Sequence, residues 1–146
     1  MRFAIVRSQF NETVTKGLER GAMEFLAEKG IGFSDVQLFE APGAFEIPLM
    51  AQILAKTRKY AGIIALGCVI KGDTAHFEFI SLGATVGLQM AMLATETPIS
   101  FGILTTYTEE QAEIRSAKDA HNKGREAAAA CYDTAKFIAG LASTPA

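Results

Sequence analysis

The stretch from Ile63 to Met92 constrains the fold more than any other. Ile63 to Ile70 is one continuous apolar run. A run that is apolar at every position suits a strand buried on both faces, as in a parallel sheet. It breaks at Lys71-Gly72-Asp73-Thr74, and the period then becomes helical, with Phe77, Ile80, Leu82, Ala84, Leu88 and Met92. Strand, glycine-containing loop and helix start together make an anion site, because free N–H groups and the positive helix end face whatever sits above the loop. His76, one of two histidines, falls in the first turn of that helix. A positive dipole end disfavours an imidazolium there, which suits a residue that accepts a proton. The stretch reads either as an anion pocket beside a base or as an ordinary loop with an incidental surface histidine.

The rest of the chain repeats this alternation. Arg2–Arg7 reads as a first strand, and Asn11 is placed to cap a helix from Glu12 to Lys29 whose apolar face carries Val14, Leu18, Ala22, Phe25 and Leu26. Gly30 supplies the stop. Ser34–Glu40 is the second strand, and Ala41-Pro42-Gly43 breaks into a loop before a helix over Ala44–Lys56. Pro98–Thr106 is the fourth strand. Thr108 and Gln111 have capping-box spacing for a short helix to Arg115, and a last helix runs from Asn122 to Leu141. The alternation predicts a single domain over residues 1–146: a three-layer α/β/α sandwich around a parallel, flavodoxin-like four-stranded sheet.

A net charge of −2 and the lack of any Lys/Arg-rich run argue against nucleic acid or a membrane surface as partner. No apolar run approaches the ~20 residues of a membrane span, and the short apolar start is no signal peptide, so the expected location is the cytoplasm. Cys68 and Cys131 have no metal-ligand spacing and read as buried thiols; with only two histidines, no metal site is expected.

Ligands of parallel α/β sheets sit at the C-terminal strand ends, so the βα loops are the places to look. Phe10 is a stacking platform for a flat heterocycle or a helix-packing staple. Glu46 is an acceptor for a polyol or a favourable helix N-terminal charge. Arg115 is a phosphate fork or a solvated surface cation. Lys123 stands at a helix start, where a cation opposes the dipole.

Taken together, these words resemble the lumazine synthase family. The matching segments are Phe10-Asn11, Pro42 to Pro48, Leu66 to Glu78, Phe101 to Thr106, Glu110 to Ala112 and Asn122 to Gly124, in the family's order over roughly residues 3–138. The resemblance implies condensation of 5-amino-6-(D-ribitylamino)uracil with 3,4-dihydroxy-2-butanone 4-phosphate, without metal or organic cofactor. It implies that Phe10, beside Asn11, stacks on the pyrimidinedione ring. Ala44, Phe45 and Glu46 would bind ring and ribityl chain, and Cys68, Val69 and Ile70 would line the pocket through backbone groups. Gly72, Asp73 and Thr74 would hold phosphate, with Arg115 as counter-ion, and His76 would transfer protons. Phe101 and Lys123 would reach in from a neighbouring subunit of a homopentamer.

Two departures bear on the ligand loops: Ala41 replaces a common Val, and Asp73 a common Glu. Shell-building family members carry a glycine in the turn at residues 117–121, and this chain has none there. It also begins almost at its first strand. Both features lead to the expectation of an isolated pentamer. The competing readings are a non-catalytic riboflavin- or lumazine-binding paralogue, an archaeal-type riboflavin synthase, and a flavodoxin-like structural or signalling domain.

Overall fold

A computed structural model describes residues 1–143; the last three residues of the expected domain lie outside them. Four strands, β1 (Phe3–Ser8), β2 (Val36–Ala41), β3 (Gly62–Ile70) and β4 (Ile99–Thr106), form one parallel sheet in the order β2-β1-β3-β4. In register, Ile5 lies between Leu38 and Ile64, and Ile63 lies beside Ile99. The helices are α1 (Glu12–Glu28), α2 (Ile47–Lys56), α3 (His76–Thr95), α4 (Glu109–Arg115) and α5 (Lys123–Ala142).

Alternation along the central strands explains why their sequence is apolar throughout. Phe3, Ile5, Ile64, Leu66 and Cys68 face the α1–α5 layer, with Leu18, Leu26, Ala128 and Cys131. Ala4, Val6, Ile63 and Ala65 face the opposite layer, with Ile47, Ala51, Ala84, Leu88 and Ala91 of α2 and α3. Each face of the sheet is therefore sealed by a helix pair, the arrangement parallel strands require.

Several boundaries differ from the sequence reading. The expected helix over Ala44–Lys56 is a 3-10 turn at Ala44–Glu46 followed by α2, with Pro48 at the helix start. Proline is tolerated there because the first helical N–H groups have no intrahelical acceptor. A second 3-10 turn at Phe33–Asp35 delays β2 to Val36. Asn11 occupies the N-cap position of α1 but does not cap it. Its backbone is left-handed, φ 56° and ψ 51°, rather than the extended form that aims a side chain at the following N–H groups. Thr108 does cap α4, accepting from Gln111 N at 3.1 Å. Gln111 Oε1 returns to Tyr107 N at 2.9 Å, one residue earlier than a regular capping box.

Arg7 anchors α1 to the sheet. It is buried, yet it pairs with Glu19 at 2.9 Å and Glu40 at 2.9 Å and donates to Thr15 Oγ1 at 3.2 Å. A buried guanidinium is tolerated only when its donors are so occupied. Gln9 Nε2 extends the chain of contacts to Glu40 Oε2 at 3.1 Å, tying down the loop just before Phe10.

α3 is the one helix among the described residues that is long and apolar enough, by length and composition, to cross a membrane. Its inner side is sheet-facing core, with Ala84, Leu88 and Ala91. Gly83 and Gly87 let α2 and its approach come close: a Cβ on Gly83 would lie 2.9 Å from the Phe45 ring, and one on Gly87 2.8 Å from Pro48. Its outer side carries an exposed stripe of Phe79, Leu82, Val86, Met90 and Leu93.

Candidate active site

The order β2-β1-β3-β4 reverses direction between β1 and β3, and the crevice outside that switch point is where such sheets take ligands. A cleft of about 370 Å³ opens there. The loop after β1 supplies Phe10 and Asn11, the loop after β2 supplies Gly43 to Glu46, and the end of β3 supplies Cys68 and Val69. α3 supplies His76 and Ile80. The sheet pairing continues one bond past β1, Gln9 N donating to Ala41 O at 2.9 Å, and Phe10 then stands free with 71% of its surface exposed. An open aromatic face suits a planar ring.

Gly43 matters by what it leaves out. A Cβ there would sit 3.2 Å from Glu46 Oε2 and 3.7 Å from Phe10 Cδ2. Carboxylate and ring therefore flank the same backbone atom. Asn11 replaces its missing cap with a longer-range bond: its Nδ2 donates to Cys68 O at 3.1 Å, clipping the first loop to the end of β3. Burial, aided by the charge of Glu109, pushes the Cys68 thiol up to about 11. It is therefore a neutral wall of the cleft at ordinary pH, since thiolate, not thiol, is the nucleophile.

The loop from Lys71 to Thr74 joins β3 to α3 without lining this cleft, and Gly72, Asp73 and Thr74 are exposed. Lys71 N donates to Thr106 O at 2.9 Å, and Lys71 Nζ stands 5.9 Å from the centre of the Tyr107 ring. Thr74 Oγ1 accepts from His76 N at 3.4 Å, taking one of the free N–H groups at the start of α3. Ile70, half-buried and paired with Thr106, lines neither this cleft nor the next.

A second cleft, about 430 Å³, lies at the β4 edge against α4 and α5. It holds Phe101, Thr105, Thr106, Arg115, Lys123 and Glu126. Arg115 Nη1 donates to Gln111 O of its own helix at 3.0 Å, and among the described residues Arg115 pairs with no carboxylate. Lys123 Nζ pairs with Glu126 at 2.8 Å. The residues expected in one pocket are thus divided: Phe10, Asn11, Ala44, Phe45, Glu46, Cys68, Val69 and His76 converge on the first cleft, and Phe101, Arg115 and Lys123 on the second. Arg115 shares its cleft with the two residues expected of a neighbouring subunit, and Gly72–Thr74 do not line that cleft.

Sequence reasoning passed over Gly43, Ile80 and Glu126. Glu126 was detectable by its i+3 spacing from Lys123, which puts the two on one helix face. Gly43 was legible as part of a ligand loop but was given no role of its own, because its close approach to Glu46 depends on the tertiary structure. Among the described residues no three His, Cys, Asp or Glu side chains converge as a metal site would require.

A parallel sheet with a polar-rimmed cleft at its switch point, entered by a loop and a helix N-terminus, defines a flavodoxin-like α/β enzyme domain. The chain belongs to the 6,7-dimethyl-8-ribityllumazine synthase family, whose model matches residues 1–139. It is 62% identical over 137 residues to 6,7-dimethyl-8-ribityllumazine synthase 1 of Caulobacter vibrioides, covering 94% of this chain and 90% of that one. It is 45% identical over 141 residues to the 6,7-dimethyl-8-ribityllumazine synthase of Nitratidesulfovibrio vulgaris, covering 97% and 90%. With the enzyme of that name from Salinibacter ruber the identity is 44% over 140 residues, covering 96% and 90%.

Proposed function

We propose that this chain condenses 5-amino-6-(D-ribitylamino)uracil with 3,4-dihydroxy-2-butanone 4-phosphate to give 6,7-dimethyl-8-ribityllumazine, phosphate and water, a step of riboflavin biosynthesis. The observation that carries this reading is the convergence of Phe10, Glu46 and His76 in one cleft at the switch point. Phe10 stacks on the pyrimidinedione, Glu46 accepts from ribityl hydroxyls, and the backbone at Cys68 to Ile70 meets the ring edge. An amine of the uracil attacks the ketone, the carbinolamine loses water to give an imine, phosphate leaves, and the second amine closes the ring with loss of water. His76 takes up and returns protons. Alignment of the two substrates supplies most of the acceleration, because the bond-forming steps are easy once the partners are held together.

The divided residues find their use in a homopentamer. The first cleft of one subunit is closed by the second cleft of its neighbour, which brings Phe101, Lys123 and Arg115 over the phosphate held at Gly72, Asp73 and Thr74. The stripe from Phe79 to Leu93 on α3 and the half-exposed ring of Phe101 are apolar surface that such packing covers. In this reading α3 is shielded by other subunits rather than by lipid, and the protein works in the cytoplasm. No observation favours the non-catalytic paralogue. Mixing both substrates with the purified protein and following lumazine absorbance together with phosphate release tests the proposal. A folded protein that binds both substrates and forms no lumazine would refute it.

A further inference from the structure

We propose that Asn122 is a positioning residue that fixes Arg115 and Lys123 relative to one another and so sets the affinity for the phosphate-bearing substrate. This rests on the reading of the second cleft as the phosphate half of the site. Asn122 is 1% exposed and uses both ends of its amide twice. Its Oδ1 accepts from Gly124 N at 2.8 Å and Arg125 N at 3.0 Å, capping α5. Its Nδ2 donates to Gly17 O at 3.0 Å and to Ala117 O at 2.9 Å. Capping alone does not call for asparagine, since Asp and Ser cap as well. Only the amide adds two donors, and these run to α1 and to the far end of the linker.

The linker joins the two cations. Arg115 ends α4, two residues before Ala117, and Lys123 begins α5, directly after Asn122. The two donor bonds therefore close residues 117–122 into a ring seated on the backbone of α1. That seat is built from glycine. A Cβ on Gly21 would overlap Asn122 Oδ1, a Cβ on Gly124 would overlap Leu18 O, and one on Gly17 would lie 2.5 Å from Ser116 O. Arg20 Nη2 adds a bond to Ser116 O at 3.4 Å. The cations' own contacts do not reach across the cleft: Arg115 donates to Gln111 on α4, and Lys123 pairs with Glu126 on α5. Their separation is thus held through the backbone, and the backbone through Asn122.

The test compares four variants with the unaltered enzyme. Asn122→Asp keeps the cap and loses both donors, setting a carboxylate against two carbonyl oxygens. Asn122→Ser keeps a shorter cap and loses the reach to Gly17. Leu26→Ala opens a cavity in the α1–α5 layer away from the cleft and serves as a control for lost stability alone. For Asn122→Asp the KM for the butanone phosphate rises about tenfold, inhibition by inorganic phosphate weakens in parallel, and the KM for the uracil stays within about twofold. Leu26→Ala lowers the Tm and moves neither KM. Asn122→Asp behaving like Leu26→Ala would overturn the proposal; if the Asp variant does not fold, the Ser variant decides by the same readout. Arg115→Ala separates the two layers of inference. If it leaves the KM for the phosphate substrate unchanged, the reading of the cleft fails; if it raises that KM while the Asn122 variants do not, only the positioning role fails.

Discussion

His76 and Arg115 open into different clefts of the same subunit, His76 at the switch point between β1 and β3 and Arg115 at the β4 edge. In the proposed pentamer, a reaction that uses both draws them from two chains. The consequence is complementation. A variant carrying Phe10→Ala and Glu46→Ala loses the ring side of the site, and Arg115→Ala loses the phosphate side. Each is weakly active alone. Unfolded together and refolded as mixed pentamers, they regain roughly a quarter of wild-type sites, the share in which an intact first cleft meets an intact second one. Activity that stays at the sum of the two separate variants would place the whole site within one chain.

The two residues also differ in what their removal does. In the proposed mechanism proximity carries most of the acceleration, so His76→Ala lowers kcat by about tenfold, less than general-base catalysis often contributes. Arg115→Ala removes charge-assisted bonds worth about 1.5–3 kcal/mol each, so it raises the KM for the butanone phosphate by about tenfold or more with little change in the KM for the uracil. Steady-state kinetics with each substrate varied in turn checks both. Abolition of turnover by His76→Ala with binding of both substrates intact would sink the proximity account.

How much of this was legible in the sequence follows from range. The apolar run of β3 and the helical periods of α1 and α5 are local patterns, and they predicted the element order within a residue or two at most ends. The loop words around Phe10, Glu46 and His76 were legible because βα loops of a parallel sheet all open at one edge. The resemblance already set Phe101 and Lys123 apart; that Arg115 joins them was not legible, since it depends on where α4 sits against β4. Asn11 shows the same limit. A helix start beginning with Asn reads as a cap, and only the fold shows a carbonyl from residue 68 within reach of its amide.

That bond can be tested apart from its backbone. Asn11 has positive φ, which Asn and Gly tolerate and Ala does not. Asn11→Gly keeps the conformation and loses the clip to Cys68 O; Asn11→Ala loses both. The glycine variant costs about 1 kcal/mol from the lost hydrogen bond, and the alanine variant about 1–2 kcal/mol more from the strained conformation. Urea denaturation at neutral pH gives both numbers. Equal losses for the two variants would mean that the bond, and not the left-handed backbone, decides the position.

Cys131 gives the protein an alkaline weakness. Its thiol lies beneath β3, where a Cβ on Gly62 would overlap it, and it donates to Ile63 O at 3.6 Å. Burial pushes it up from 9.0 to about 12. Below pH 9 the folded and unfolded chains both keep this proton, and its contribution to stability is fully present. Above pH 9 the unfolded chain releases the proton while the folded chain retains it, so the unfolded state gains and stability falls by about 1.4 kcal/mol per pH unit towards the folded value. Cys131→Ala is the comparison. It costs about 1 kcal/mol at pH 7 through the small cavity it leaves. It lacks this titration, however, so its deficit narrows as pH rises past 9 and then reverses. Every other group is common to both proteins and cancels in the difference. Urea midpoints measured from pH 7 to 10.5 should therefore converge and cross, and curves that stay parallel would show that the buried thiol does not govern the alkaline limb.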